Sequence, residues 1–491
     1  MSETKGLKQK ATKGVFWVAV QKYSVTLITF VSDIIMARLL TPYDFGCIEM
    51  LAIFMLLSET LVNGGFGSAL IQKKKPTQED YSTIFFWNLG MAALLYALLF
   101  FSAPAIARFY KIPLLSSVLR VQGLVLFVYA FNIVQDNQLR KQFKFKVIAI
   151  VTVIASIVSL SVTVLMAYKG FGIWSLVVKN LISWGLISLM FWFYVKWRPS
   201  LVFSWQSFKE LFSFGFYMLL SNLVTTFSTK LQGLLIGKVY SPSTMGYYSK
   251  ASGTESHAST TISQILDKVT YPLYAETQDN LQRLGNIVKK LTMSLSYITF
   301  PLMFMLLLVA KPLFVLLYTE KWLPSVPYFQ VLCFAGLASC LQSVNFQTVS
   351  AIGKSKVTFV WTMIKRGVGI ACMVGGLALF GMKGILAGAV FNAWFAYFVN
   401  MGLVSKHIGY KWHRQLMDIS PVLVASIVCA LLSYACGRLL HFDMYLDGIV
   451  KIFAYATLYL VWSFAFKPDA YVYFKDIVAP LFSKIRSGEK K

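Results

Sequence analysis

The chain reads as an all-α integral membrane protein of about 14 transmembrane helices, laid out as two pseudo-symmetric six-helix lobes, parallel repeats of one another, plus two C-terminal helices. Three observations predict this. The 491 residues are 57% hydrophobic and only 13% charged, more apolar surface than one water-soluble core can hide. Apolar segments of roughly 20 residues, the length that crosses about 30 Å of hydrocarbon, recur from one end of the sequence to the other. A short motif also occurs twice in the same register, as ARLLTPYDFG at 37–46 and GKVYSPSTMG at 237–246.

The first six spans are expected at residues 14–37, 43–69, 81–106, 115–136, 147–168 and 172–195. The next six are expected at 206–238, 243–274, 287–310, 324–351, 357–380 and 383–405, and two more at 417–440 and 446–467. Spans 2 and 8 carry explicit start signals. Thr41 and Ser241 suit a helix N-cap, and Pro42 and Pro242 suit the first helical position, where a missing N–H costs nothing. Asp44, three residues after Thr41, completes a capping-box pattern that Thr244 echoes weakly. The connections between spans are too short to hold a soluble domain, so the chemistry belongs inside the membrane.

Charge sets the orientation. A net charge of +26 would suggest nucleic acid in a soluble protein, but its distribution points to a membrane instead, and no nucleic-acid partner is expected. With the N-terminus in the cytoplasm, the inner connections hold clusters such as Lys73, Lys74 and Lys75, then Arg140, Lys141, Lys144 and Lys146, and a basic C-terminal tail. The outer connections hold one or two cations each, among them Arg38, Lys169, Lys238 and Lys383. This is the positive-inside pattern, and dropping or adding one span would reverse it for every later loop. Both termini are therefore expected in the cytoplasm, and the N-terminal stretch is read as retained rather than as a cleaved signal.

The six cysteines lie in or beside apolar spans without a CxxC pair, the four histidines form no HExxH, and GGFG at 64–67 opens no phosphate cradle. No catalytic residue, metal or cofactor is expected.

The repeat extends beyond the motif. SDIIMARLL at 32–40 lies over QGLLIGKVY at 232–240, Thr26 and Thr29 lie over Thr226 and Thr229, and KFKV at 144–147 matches KSKV at 354–357. Six spans is an even number, so both copies enter the membrane the same way up. The resulting division is residues 1–205 for the N-terminal lobe, 206–409 for the C-terminal lobe, and 410–491 for two extra helices and a basic cytoplasmic tail.

Residues 14–80 contain GVFW, then ARLLTPYDFG, then GGFGSALIQKKKPTQED. This stretch resembles the N-terminal signature of the polysaccharide transporter family, the Wzx-type lipid-linked oligosaccharide flippases of the multidrug/oligosaccharidyl-lipid/polysaccharide (MOP) exporter superfamily. The resemblance implies two lobes around a V-shaped cavity lined by spans 1, 2, 7 and 8. It implies alternating access that carries an undecaprenyl-pyrophosphate-linked oligosaccharide from the inner to the outer leaflet of a bacterial cytoplasmic membrane, for capsule, exopolysaccharide or O-antigen export. The implied partners are that lipid-linked oligosaccharide, the surrounding membrane lipids and the polysaccharide polymerase or export machinery.

Polar residues inside the spans are the candidate site, because a charge buried in lipid costs about 2.5–3.5 kcal/mol on insertion scales and therefore usually faces protein or water. In span 1, Lys22, Thr26, Thr29 and Asp33 share one helical face. Span 7 repeats the stripe as Asn222, Thr226 and Thr229, with Lys230 beside it and Gly233 where Asp33 would be. Span 8 places Lys250, Thr254, His257, Thr261 and Gln264 on one stripe and Glu255 on the adjoining face. The substrate-binding candidates are Lys22, Thr26, Asn222, Lys230, Lys250, His257, Lys365 and Arg366, with cations at two depths to hold a pyrophosphate. Asp33, Glu49, Glu59 and Glu255 are candidates for coupling to a cation or proton. For each of these the alternative is a charge that only pairs with a neighbour to hold helices together. Two rival functions stay open: a drug or metabolite antiporter of the same superfamily, which should carry net acidic charge in its cavity, and a membrane glycosyltransferase or glycan polymerase, which usually needs a long outer loop.

Overall fold

The computed structural model describes residues 2–277, 280–440 and 442–476, and within them the side chains of 13–259, 274, 277, 280–354, 356–439 and 442–476. Every regular element among the described residues is helical. In chain order these are α1 (Ser2–Leu39), α2 (Pro42–Asn63), α3 (Phe66–Gln72), α4 (Gln78–Tyr110), α5 (Leu114–Gln122), α6 (Val125–Lys141), α7 (Phe145–Tyr168) and α8 (Ile173–Tyr194). Then come α9 (Trp205–Val239), α10 (Pro242–Glu276), α11 (Leu281–Leu308), α12 (Ala310–Tyr318), a 3-10 helix (Glu320–Ser325), α13 (Val326–Ala351), α14 (Ser355–Ile408), α15 (Trp412–Leu440) and α16 (Met444–Phe466). The chain is thus an all-α, multi-pass membrane protein.

Among the described residues, 12 helices are long and apolar enough to cross a membrane. Two features account for the difference from about 14. The stretch labelled α14 is two helices, the expected spans 11 and 12, folded against each other at Gly381, whose φ of 60° and ψ of −136° are not helical. The fold brings Gly384 so close to Gly376 that a Cβ on Gly384 would stand 1.9 Å from the Gly376 carbonyl oxygen. The other feature is α10, the expected span 8, whose many Ser, Thr and charged residues keep its hydropathy below that of a lipid-facing helix.

Both repeated motifs are helix caps. The Thr41 hydroxyl accepts from the Asp44 N–H, and the Asp44 carboxylate accepts from the Thr41 N–H at 3.0 Å, closing the capping box. Ser241 accepts from the Thr244 N–H at 3.2 Å, and the two hydroxyls lie 3.0 Å apart, so the second copy keeps half of the box. A further box at Thr77 and Asp80 starts α4.

The described chain divides into two compact units, 1–249 and 250–491. In the first, α1 packs on α7, α7 on α8, α6 on α4 and α8, and α9 lies against α2, α3 and α4. The two caps meet in this unit. A Cβ on Gly46 would stand 1.7 Å from the Pro242 carbonyl oxygen, and one on Gly246 would stand 1.9 Å from that of Pro42. Each motif thus presents a proline carbonyl to the other's glycine. At the far end of α2, Gly64 and Gly65 take positive φ, ending α2 and starting α3, and a Cβ on Gly65 would sit 2.2 Å from the Gly215 carbonyl. Phe66, Phe85, Val134, Phe208 and Leu211 form a buried cluster there. Beside it, Lys73 bridges Asp80 at 3.0 Å and Glu210 at 2.9 Å. The Lys141 ammonium caps α3 by donating to the carbonyls of Leu70 and Lys73. The expected boundary at 205/206 came from the sequence repeat, whereas the one at 249/250 comes from packing, and it assigns α9 to the first unit.

In the second unit, α11 packs on α13 and α15, α13 on α14, and α15 on α16. Tyr297 of α11 donates to the Ser463 hydroxyl at 2.8 Å, and Tyr459 donates to the Tyr297 carbonyl at 3.0 Å, which ties α16 to α11. Outward-facing Phe101, Phe193 and Leu379, each more than 70% exposed, match an apolar solvent around the bundle.

Candidate functional site

The polar stripe of α1 is half-buried at Lys22, Thr26 and Asp33 and exposed at Thr29. Among the described residues Lys22 stands within ion-pair distance of no carboxylate. Next to Asp33 in the chain, buried Ser32 accepts from the Lys179 ammonium of α8 at 2.8 Å. Across α2 and α9 the structure joins groups far apart in sequence: Lys230 pairs with Glu49 at 3.4 Å, and the hydroxyls of Thr60 and Thr226 lie 3.4 Å apart. Both members of the ion pair keep about a third of their side-chain exposure, so solvent still reaches them. Glu59 is half-buried on α2 and Asn222 is exposed on α9.

In the second unit the cations are more enclosed. Lys250 is 4% exposed, with its ammonium over the rings of Tyr318 at 4.9 Å and Trp322 at 5.2 Å. An ammonium on aromatic faces exchanges hydration for ring quadrupoles, an attraction of about 2 kcal/mol or more when desolvated. Lys250 therefore faces protein in this conformation and not a water-filled path. Lys365 is also buried: it donates to Asn400 at 2.7 Å and stands over the Phe346 ring at 5.3 Å. Arg366 and His257 are half-buried. The Glu255 carboxylate takes a hydrogen bond from Ser259, while its buried Oε1 has no hydrogen-bond partner among the described residues and lies against Gly336, where a Cβ would approach that oxygen to 2.4 Å. The side chains of Thr261 and Gln264 lie outside the described residues.

Several intramembrane charges escaped the sequence reading. Arg120 donates to the Phe100 carbonyl and stacks 4.3 Å from that ring, and Lys451 pairs with Asp447 at 2.6 Å one turn away. Lys179 belongs with them. An apolar-run search passes over single charges, and only an explicit list of every Lys and Arg within a span would have found these.

A cavity of about 300 Å³ with a mixed polar and apolar lining was also missed; it lies within the first unit, bounded by α1, α2, α3, α6, α7 and α8. Asn63 donates to the Tyr129 hydroxyl at 3.0 Å, Tyr129 meets Trp184 edge to face with ring centres 5.2 Å apart, and Asp136 pairs with Arg140 at 2.7 Å. Gly67 makes room for the neighbouring Asn137 amide, 3.2 Å from where its Cβ would be. The available signal was the spacing of Tyr129, Asn132, Asp136 and Arg140 at i, i+3, i+7 and i+11, one face of α6.

Comparison with known proteins places this architecture. Residues 35–327, more than half of the chain, match the polysaccharide biosynthesis protein family. The chain is 24% identical over 357 residues to the teichuronic acid biosynthesis protein TuaB of Bacillus subtilis, covering 72% of this chain and 74% of that one. It is 22% identical over 445 residues to the lipopolysaccharide biosynthesis protein WzxC of Escherichia coli, covering 88% and 89%. Among solved structures, the lipid II flippase MurJ in an inward closed conformation aligns with a TM-score of 0.74 at 14% identity, over 93% of this chain and 99% of MurJ. An inward-facing MATE multidrug resistance transporter of the MOP superfamily aligns with a TM-score of 0.62 at 15% identity, over 83% and 98%. At such identities the structural likeness speaks for the fold alone. With the family match covering more than half of the chain, from residue 35 onward, the chain belongs to the polysaccharide biosynthesis protein family.

Proposed function

We propose that the protein is a flippase that moves an undecaprenyl-pyrophosphate-linked oligosaccharide from the inner to the outer leaflet of a bacterial cytoplasmic membrane by alternating access, for export of a surface polysaccharide. One observation carries the reading: relatives named for polysaccharide pathways span most of the chain, while its fold is shared with a lipid II flippase. The lobes would be residues 1–205 and 206–409, with 410–491 as an appendage and both termini in the cytoplasm.

The charge supports an anionic cargo. Lys22 and Arg366 are half-buried cations with no ion-pair partner among the described residues, at similar depth from the side assigned to the cytoplasm, and are the groups best placed to take a pyrophosphate as its head leaves the interface. Thr26 and Asn222 supply neutral partners for the sugars. Lys230 becomes available when its contact with Glu49 opens, and Lys250 and Lys365 require rearrangement before they can meet cargo. Of the carboxylates, Glu255 is the best candidate for coupling to a cation or proton, since its enclosed Oε1 has no hydrogen-bond partner among the described residues. A cationic-drug antiporter fits less well, because the half-buried groups without a salt bridge include these cations.

The test is purified protein in vesicles supplied with fluorescent lipid-linked oligosaccharide extracted from the host. The expected result is a change of sidedness without a change of mass, lost in Lys22→Ala at normal protein levels. A new product by mass spectrometry rejects the flippase in favour of a transferase or polymerase, and uptake of a cationic dye without movement of the lipid favours the antiporter.

A further inference from the structure

We propose that the cavity inside the first unit is a monosaccharide subsite that reads one sugar ring of the cargo. The assignment rests on the flippase reading for the identity of the carrier lipid, but not for the binding of sugar itself.

The first argument is an unmet hydrogen-bonding demand. Asn132 is 4% exposed and lines the cavity, and its Oδ1 has no partner among the described residues. A buried amide oxygen left unbonded costs about 1–3 kcal/mol, so the site is built for a donor that arrives from outside the fold. Asn63 and Tyr129, already bonded to each other, still offer a second amide hydrogen and a hydroxyl lone pair toward the same space. Donors and acceptors interleaved at this spacing suit vicinal hydroxyl groups, each of which both donates and accepts.

The second argument is charge. The one ion pair on the cavity wall, Asp136 with Arg140, is internally neutral, and Arg140 stands at the rim with its side chain 44% exposed. A phosphate would meet the Asp136 carboxylate, and a metal ion would meet the Arg140 guanidinium. A neutral polyol instead accepts from the guanidinium and donates to the carboxylate without disturbing the pair.

The third is shape. Trp184 and Tyr129 meet edge to face and give the polar wall an apolar neighbour, the combination that suits the C–H face of a pyranose. About 300 Å³ lies at the small end of ligand pockets, enough for one ring and not for a whole repeat unit. A site that hydrogen-bonds substrate hydroxyls rejects analogues lacking them far better than an apolar pocket rejects a missing methylene, so this cavity would set which glycan is carried.

Mild acid cleaves the host's lipid-linked repeat unit into free oligosaccharide and sugar-free lipid, and both serve as probes for full-length protein in nanodiscs. Saturation-transfer NMR should detect the free oligosaccharide on the wild type with contacts concentrated on one ring. Asn132→Leu should weaken binding at least tenfold, and Tyr129→Phe, which keeps the core volume and removes only the hydroxyl, by severalfold. Inorganic pyrophosphate and sodium chloride at matched ionic strength should not displace the sugar. The proposal is overturned by absence of sugar contacts on the wild type, by equal binding in both variants, or by displacement by pyrophosphate or sodium alone. If vesicles show translocation but the sugar signal is absent, this inference fails and the flippase stands. If the sugar binds in this cavity but no lipid moves, the flippase reading fails and the subsite stands.

Discussion

Gly46 shows how much a single missing side chain can decide. Its Cα faces the Pro242 carbonyl so closely that a methyl group has no position to occupy, and Gly246 faces Pro42 in the same way. Overpacking of a tight contact typically costs about 1–3 kcal/mol, and here the obstructing atoms are backbone, which yields only by moving a helix. Gly46→Ala and Gly246→Ala should each lower the unfolding temperature in detergent and reduce translocation, and by similar amounts because the contact is reciprocal. Gly90→Ala, with nothing within 4 Å, should leave both unchanged and serves as the control. A second prediction concerns Lys250. Lys250→Met keeps the stem and loses the charge on Tyr318 and Trp322, and it should destabilise by about 2 kcal/mol in equilibrium unfolding, whereas Lys250→Arg should retain most of the stability. A wild-type-like Met variant would mean that the aromatic faces contribute nothing.

At the scale of elements, what was legible in the sequence was what contiguous residues determine. The caps at Thr41 and Ser241 were readable because N-cap, proline and N3 residue lie within four positions, and the structure forms a full box at Thr41 and half of one at Ser241. The helical stripes were readable for the same reason. Partners were not: Lys230 finds Glu49 across 181 residues, and the wall of the cavity is completed by Asn63 and Trp184 from other helices. Periodicity gives a residue its face but never its neighbour. Lys250 is the clearest case, since its position on a polar stripe suggested water while three-dimensional packing supplies two rings. The ion bridge that fastens α9 to α3 and α4 lends itself to test. Burial works to lower the Lys73 pKa, but its hydrogen bonds to Glu210 and Asp80 outweigh that and hold it above the ordinary value. A raised lysine pKa contributes stability that is complete at neutral pH and is lost only as the pH climbs through the elevated value, above about 10.4. Glu210 is mostly exposed, so Glu210→Ala should cost less than about 1 kcal/mol. Asp80→Ala should cost more, since Asp80 is buried and the change also removes its half of the capping box of α4, and the difference is measurable by urea unfolding at pH 7.

For the whole molecule, the proposed orientation rests on a count and a bias acting together. Fourteen crossings, an even number, would return the chain to its starting side, and basic residues crowd the connections assigned to that side. The 12 helices that pass a length and hydropathy test are also even in number, so that count alone cannot distinguish the two layouts at the termini. They differ in between. If α10 did not cross, the segment around Asn280 would lie outside, and if α14 crossed once instead of folding back at Gly381, everything after it would change side. Single-cysteine probes on a background in which the six native cysteines are replaced decide the matter through a membrane-impermeant maleimide applied to intact cells. Lys169→Cys and Lys383→Cys should label from outside, whereas Lys74→Cys, Asn280→Cys and Lys411→Cys should label only after the membrane is opened. External labelling at position 280 would remove α10 from the set of spans, and with it the even repeat that sets the first lobe over the second. Protection at 383 would mean that α14 does not turn back at the outer face, and the parallel-repeat architecture would fail with it.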